Sequence, residues 1–271
     1  MSIITISRGS FSGGKMLAEC LAEKLGYRCI DRDTIVERAA ASVRGVTQND
    51  LREALEKPPG FLERFKHKRY VYLALFQAAL TEEVRPGKAV YHGLAGHLLL
   101  KGGPHLLRTR IIAPMEYRIE MVQERLRYSR AEAVAYIEKM DEQRRKWTHF
   151  LYGVDWGDPS LYDLVINLEY MHIAQACNMI CSVTLERCFE FTPDCQQVMD
   201  DMALASRVRA TLAIDPATSD LEVEVVAVRG KVAVKGKVSV VDQVAEVRRV
   251  AAAVPGVKTV DLEELMSPVR A

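Results

Sequence analysis

Residues 9–15 read Gly-Ser-Phe-Ser-Gly-Gly-Lys, and they follow directly on the apolar stretch Ile3-Ile4-Thr5-Ile6. A run from Met16 to Leu25 comes next and closes at Gly26. Its apolar residues Met16, Leu17, Cys20, Leu21 and Leu25 recur at helical spacing. In a strand, Gly-rich loop and helix of this order, main-chain N–H groups converge on a phosphate. The helix N-terminus adds positive dipole, and the lysine reaches the outer phosphates. Gly9, Ser10, Ser12, Gly13, Gly14, Lys15 and Met16 are therefore the candidate phosphate-binding residues. One of them departs from the full motif: Met16 stands where a Ser or Thr hydroxyl helps hold Mg²⁺. The alternative is an ordinary strand-to-helix turn carrying a solvated lysine.

At 271 residues the chain has room for one large or two modest domains, each with its own core. The 37 basic residues are balanced by 36 acidic ones, so no global field favours nucleic acid or a membrane surface. No signal peptide is read at Met1 and no apolar run approaches a membrane span, which makes a cytoplasmic enzyme the expectation. The six cysteines show no CxxC spacing. Cys177, Cys181, Cys188 and Cys195 would share a broad face of one continuous helix. A metal site is one reading of that face. Interleaved Met179, Leu185 and Phe189 favour buried, reduced thiols instead.

The first half alternates strand and helix signals. After the strand Ile3 to Ser7 and the helix to Leu25, a short strand is read at Tyr27 to Ile30. Thr34 to Lys57 reads as helical and polar, with Thr47 as an N-cap before Asn49 to Leu55, until Lys57-Pro-Pro-Gly60 breaks it. A helix from Phe61 to Glu83 precedes the strand Ala89 to Tyr91, which enters a Gly93-Leu-Ala-Gly96 turn. Leu107 to Ile112 is another strand, stopped by Pro114. Two helices span Met115 to Phe150, the second opened by a Ser129/Glu132 capping box. A loop, the strand Asp163 to Asn167 and a helix from Met171 to Phe191 complete this half. Helices between strands imply a parallel sheet with both faces covered, an α/β fold.

The pattern changes after Phe191-Thr-Pro193-Asp194. A helix from Val198 to Leu212 leads to a hairpin, Leu221 to Val225 and Lys231 to Val238, joined through Arg229-Gly230. An amphipathic helix, Val241 to Val254, and a strand, Val257 to Leu262, end a compact α+β module. The division is thus 1–192 and 198–271, and deletion after residue 195 is expected to leave a folded first domain.

Phosphoryl transfer needs two phosphates held in line with cations over the developing charge. Beyond Lys15, the cations on offer are Arg8, Arg32, Arg110, Arg118, Arg144 and Arg145. Arg144 and Arg145 lie before a Gly/Asp/Pro loop, where a flap could bring them down on phosphates; a solvated basic helix end is the alternative. Arg118 reads equally as a surface partner of Glu116 or Glu120. Asp31 and Arg32 follow the second strand at the edge where open α/β sheets bind ligands, although Asp31 could simply cap the next helix. His92 and His97 bracket Gly93 and Gly96 at another strand end.

With these residues in place, the first ~190 positions resemble the cytidylate kinase-like family of P-loop nucleoside monophosphate kinases. The matching pieces run from Ile6-Ser7-Arg8-Gly9 through Lys15, then Ala22 to Gly26, then Ile30 to Asp33. Ile112 to Arg118, Asp141 to Arg145, Trp156-Gly-Asp-Pro159 and Tyr162 to Asn167 follow in the same order. The resemblance implies ATP- and Mg²⁺-dependent transfer of a γ-phosphoryl group to a nucleoside monophosphate, with CMP or dCMP the first guess. It assigns Gly9 to Lys15 to the donor phosphates. Asp31 and Arg32 would face the acceptor, and Arg144 and Arg145 would serve as lid cations. His92 and Arg110 are further substrate-binding candidates. Two positions depart from the pattern: Met16, and His92 and Leu94 around Gly93, where similar sequences carry arginines. A catalytically degenerate nucleotide-binding sensor is therefore the alternative function.

The tail, from about Met199 to Leu265, resembles a BON domain through its element order, the Val228 to Val238 hairpin and Val254-Pro-Gly-Val257. That resemblance implies a phospholipid, small-ligand or protein partner. Self-association through an exposed edge strand, giving a homo-oligomer, is a further use of the hairpin.

Overall fold

The computed structural model describes residues 2–56, 66–238, 240 and 242–266. The Lys57-Pro-Pro-Gly60 break and the start of the helix expected at Phe61 lie outside the described residues. The chain opens with β1 (Ile3–Arg8), α1 (Gly14–Leu25), β2 (Arg28–Ile30), α2 (Arg32–Ala41), α3 (Gln48–Glu56) and α4 (Lys66–Val84). Next come β3 (Ala89–Tyr91), α5 (Gly96–Leu99), β4 (Leu106–Ile112), α6 (Met115–Leu126), α7 (Arg130–Tyr152) and β5 (Leu164–Asn167). It continues with α8 (Ile173–Val183), α9 (Pro193–Ile214), β6 (Val223–Val228) and β7 (Lys231–Lys237), then α10 (Asp242–Ala252), β8 (Thr259–Asp261) and β9 (Leu265–Met266). Two compact units result. The first is Met1–Thr34, Glu56–Gly60 and Gly87–Phe191; the second is Ile35–Leu55, Phe61–Pro86 and Thr192–Ala271.

The first unit is built on a five-stranded parallel sheet of order β2-β3-β1-β4-β5. Its inner strands β1 and β3 are buried on both faces, as strands covered by helices on either side require. Ile4 sits between Val90 and Leu107 in register, and all three are fully buried. Leu17 and Leu21 of α1 and Ala176, Cys177 and Ile180 of α8 pack into the same core. From β1 the chain departs to one side of the sheet, and from β4 to the other. The carboxyl ends of these adjacent strands thus form the switch point at which open α/β sheets hold ligands.

In the second unit, α4 lies along α9, and the β6–β7 hairpin, β8 and β9 form a small mixed sheet with α10. Leu204, Val208, Leu212, Val223, Val232, Val234, Val247 and Val250 make its core. The α4–α9 seam carries polar contacts as well. Thr81 Oγ1 donates to Ser206 Oγ at 3.1 Å, and Arg209 donates to Gln77 Oε1 at 2.8 Å. Tyr70 clamps the end of β6: its hydroxyl donates to Val223 O at 2.8 Å and accepts from Val223 N at 2.9 Å. The hairpin turns at Arg229 and Gly230 with φ of 50° and 88°, the paired left-handed conformation of a tight two-residue turn.

Several elements differ from the sequence reading. The segment read as helical from Thr34 to Lys57 forms two helices, the first ending where Ser42 Oγ donates to the Ala39 carbonyl at 2.7 Å. Thr47 does cap the second, donating to and accepting from Asp50. The helix expected from Met171 to Phe191 stops at Val183, where Thr184 Oγ1 donates to Cys181 O at 2.7 Å. A short 3₁₀ turn, Arg187–Phe189, follows. The four spaced cysteines therefore do not share one helix, and no group of three metal-ligating side chains occurs among the described residues. Helix α9 begins five residues earlier than expected, and β9 was not anticipated. No described helix is long and apolar enough to cross a membrane.

Candidate functional site

The loop between β1 and α1 is shaped by two glycines. Gly13 caps α1 with φ of 82°, a conformation that costs any L side chain. At Gly14, an added Cβ would stand 2.3 Å from Arg8 Cδ, so only glycine lets the loop close over that arginine. Buried Ser12 ties the turn internally, its Oγ donating to Gly9 O at 2.9 Å. A concavity of about 170 Å³ lies at the start of α1, lined by Gly13, Gly14 and Lys15 with Arg8, Arg125 and Arg144. Four cations around a helix N-terminus make an anion site.

Helices α6 and α7 hold this loop in place. Ser10 N donates to Asp141 Oδ1 at 3.0 Å. Arg118 pairs with Asp141, and its Nε donates to Ser10 O at 2.7 Å. Arg144 Nη1 donates to Arg8 O at 3.1 Å and to Ser10 Oγ at 3.0 Å. Arg118 is thus no surface partner of Glu116 or Glu120: Glu116 pairs with Arg130 at 2.6 Å, while Arg118 is 12% exposed. Burial lowers the Arg8 pKa to about 10, with repulsion from Arg144 next in size; burial likewise lowers that of Arg144. Both guanidiniums stay charged at neutral pH, and an entering anion would relieve their mutual repulsion.

Arg144 and Arg145 diverge. They lie well inside α7 rather than at its end, and Arg145 pairs with Glu142. Arg145 lines a separate cavity of about 230 Å³ with Arg110, Asp155 and Trp156, which reaches the loop at Gly9 and Ser12. In that cavity the Arg110 guanidinium stacks 4.2 Å over the Trp156 ring, donates to Trp156 O and lies 3.4 Å from Tyr162 Oη. The aromatic face fixes the guanidinium.

The remaining candidates are distributed along the strand ends. Asp31 caps α2, accepting from Thr34 N and Thr34 Oγ1 at 2.8 Å each. Partial burial opposes its ionisation, but those two hydrogen bonds prevail and hold the carboxyl below its usual range. Arg32 opens α2, with Asp33 at 3.7 Å. His92 O accepts from Arg8 Nη1 at 2.8 Å, and burial followed by the Arg8 charge lowers the imidazole pKa. The Tyr91 ring fills the turn beyond, occupying the space a Cβ would need at both Gly93 and Gly96. Its hydroxyl donates to Leu94 O at 3.3 Å. Lys15 extends to Glu19 at 3.7 Å, its side chain 60% exposed. Met16 is exposed too, with Arg125 Nη2 at 3.5 Å from its sulfur.

Sequence reasoning offered Arg8 among the candidate cations but gave no site role to Asp141, Trp156 or Tyr162. The spacing of Asp141 three residues before Arg144 on one helix was the available signal for that pair. Nothing local announced that Trp156 and Tyr162 would sheathe Arg110.

A family profile described as "Cytidylate kinase-like family" matches residues 3–170, and a BON domain profile matches residues 200–263. The chain is 28% identical over 165 residues to a cytidylate kinase of Pyrococcus horikoshii, covering 61% of this chain and 79% of that protein. It is 30% identical over 168 residues to a cytidylate kinase of Methanopyrus kandleri, covering 61% of this chain and 83% of the relative. A solved structure of an uncharacterized protein from Eubacterium ventriosum superposes with a TM-score of 0.54 at 20% identity, covering 67% of this chain and 97% of that one.

Proposed function

Because the chain belongs to the cytidylate kinase-like family, we propose that it transfers the γ-phosphoryl group of ATP to a nucleoside monophosphate, CMP or dCMP first. The observation that carries this reading is the cationic concavity at the start of α1, where Lys15, Arg8, Arg125 and Arg144 surround the glycine loop. In the proposed reaction a phosphate oxygen of the acceptor attacks the γ-phosphorus, the bond to the β–γ bridging oxygen breaks, and ADP departs. Loop amides and Lys15 hold the donor phosphates, and Arg144 stabilises charge on the equatorial oxygens. Asp31, Arg32, His92 and Arg110 are the residues assigned to the acceptor, Arg110 standing across β1 from the other three in the cavity that Arg145, the second lid cation, also lines.

Mg²⁺ has no resident site among the described residues: Met16 offers a thioether in place of a hydroxyl, and no acidic cluster supplies ligands. The ion enters with its nucleotide, coordinated by phosphate oxygens and water. Residues 198–271 serve as a ligand-sensing or interaction module on this reading, and the protein works in the cytoplasm. Met16 favours a second reading, in which the loop binds nucleotide without turnover and the module reports occupancy to a partner.

Lys15→Ala is expected to cut the rate of ADP formation by about 10²-fold or more, as loss of a transition-state cation does, with an unchanged circular dichroism spectrum. Undiminished activity in that variant would remove Lys15, and with it the proposed mechanism.

A further inference from the structure

The second unit contains a cavity of about 510 Å³ that the kinase reading leaves unused. Leu75 and Ala79 of α4, Ala210 and Ile214 of α9, Val43 and Val254 supply its walls. The volume lies in the range that takes a small molecule. No aromatic ring stands among the described lining residues, so a nucleobase finds nothing to stack on, whereas methylenes find methyl groups throughout.

The rim is polar and incompletely satisfied. Arg38 pairs with Glu83 at 2.7 Å. Arg207 reaches Glu82 and the Pro255 carbonyl only at 3.3 and 3.4 Å, and its Nε–H is buried with no acceptor. Bonds this long leave the partly exposed Nη groups of Arg207 with donor capacity that an incoming oxygen takes up, most of all an anionic one facing a guanidinium. We propose that this cavity binds a free medium-chain aliphatic carboxylate, its chain between α4 and α9 and its carboxylate on Arg207. The inference is independent of the kinase reading, because occupancy is measured directly.

The test is calorimetric titration of the full chain with sodium decanoate below its micelle concentration, alongside 1-decanol and phosphatidylglycerol vesicles. Saturable decanoate binding at one site is expected, with a raised melting temperature. Ala79→Phe, which fills the cavity, and Arg207→Gln, which removes the guanidinium, should each weaken it by about tenfold or more. If one variant fails to fold, the other still reports. Absence of saturable decanoate binding would overturn the proposal, as would binding that a folded variant leaves unchanged. Decanol binding as tightly as decanoate would remove the role of Arg207. Protein that sediments with vesicles but ignores decanoate would assign the surface to a membrane and refute the free acid.

Discussion

His97 is 5% exposed and stacks against Tyr162 with ring centroids 4.7 Å apart, its Nε2 lacking a hydrogen-bond partner. Burial, then the charges of Arg108 and Arg110, lower its pKa from 6.5 to about 4. Between those two values the unfolded chain binds a proton that the folded chain refuses. Stability is therefore fully present above pH 6.5 and lost as pH falls toward 4, by roughly 3 kcal/mol in all. Urea unfolding at pH 7.0 and 4.5 is expected to show that loss in the native chain and a smaller one in His97→Gln. Equal losses in both would contradict the assignment. Single side chains were also where sequence reasoning fared unevenly. The loop glycines were legible because Gly13 and Gly14 answer a local backbone demand. Arg118 was misplaced because its partner Asp141 lies 23 residues away on another helix, a tertiary fact that no local pattern encodes.

Capping chemistry made two helix starts readable. Ser129 and Glu132 form both halves of a capping box at α7, as their spacing implied. Thr47 performs the same task at α3 with Asp50 in place of Glu. Helix ends set by a hydroxyl turning back onto the chain, at Ser42 and Thr184, escaped notice because the same residues are tolerated inside helices. Asp31 shows a cap and a candidate acceptor contact meeting in one residue. Asp31→Ala is expected to destabilise the protein by about 1 kcal/mol through the lost cap, measured by denaturant midpoint. If acceptor binding also involves this carboxylate, KM for the monophosphate rises beyond what Asp31→Asn produces. An unchanged midpoint would mean that the α2 N-terminus does not depend on this side chain.

The two compact units are not continuous in sequence. The first unit's last segment ends at Phe191, near the composition shift, yet residues 35–55 and 61–86 cluster with the C-terminal segment. The reason is the apolar face of α4, with Phe76 and Leu80 fully buried in a helix that packs along α9. Deletion after residue 195 would strip α9 from that face. Contrary to the expectation from sequence, the truncated chain should lose α4 helicity or aggregate; a soluble, fully helical fragment would refute the α4–α9 packing as a source of stability. The measurement that bears most directly on function is the initial rate of ADP formation with ATP, Mg²⁺ and each of CMP, dCMP, UMP, AMP and GMP in turn. Turnover is expected, fastest with CMP or dCMP. Tight ATP binding with no turnover on any of the five would contradict the kinase account and leave the nucleotide sensor in its place.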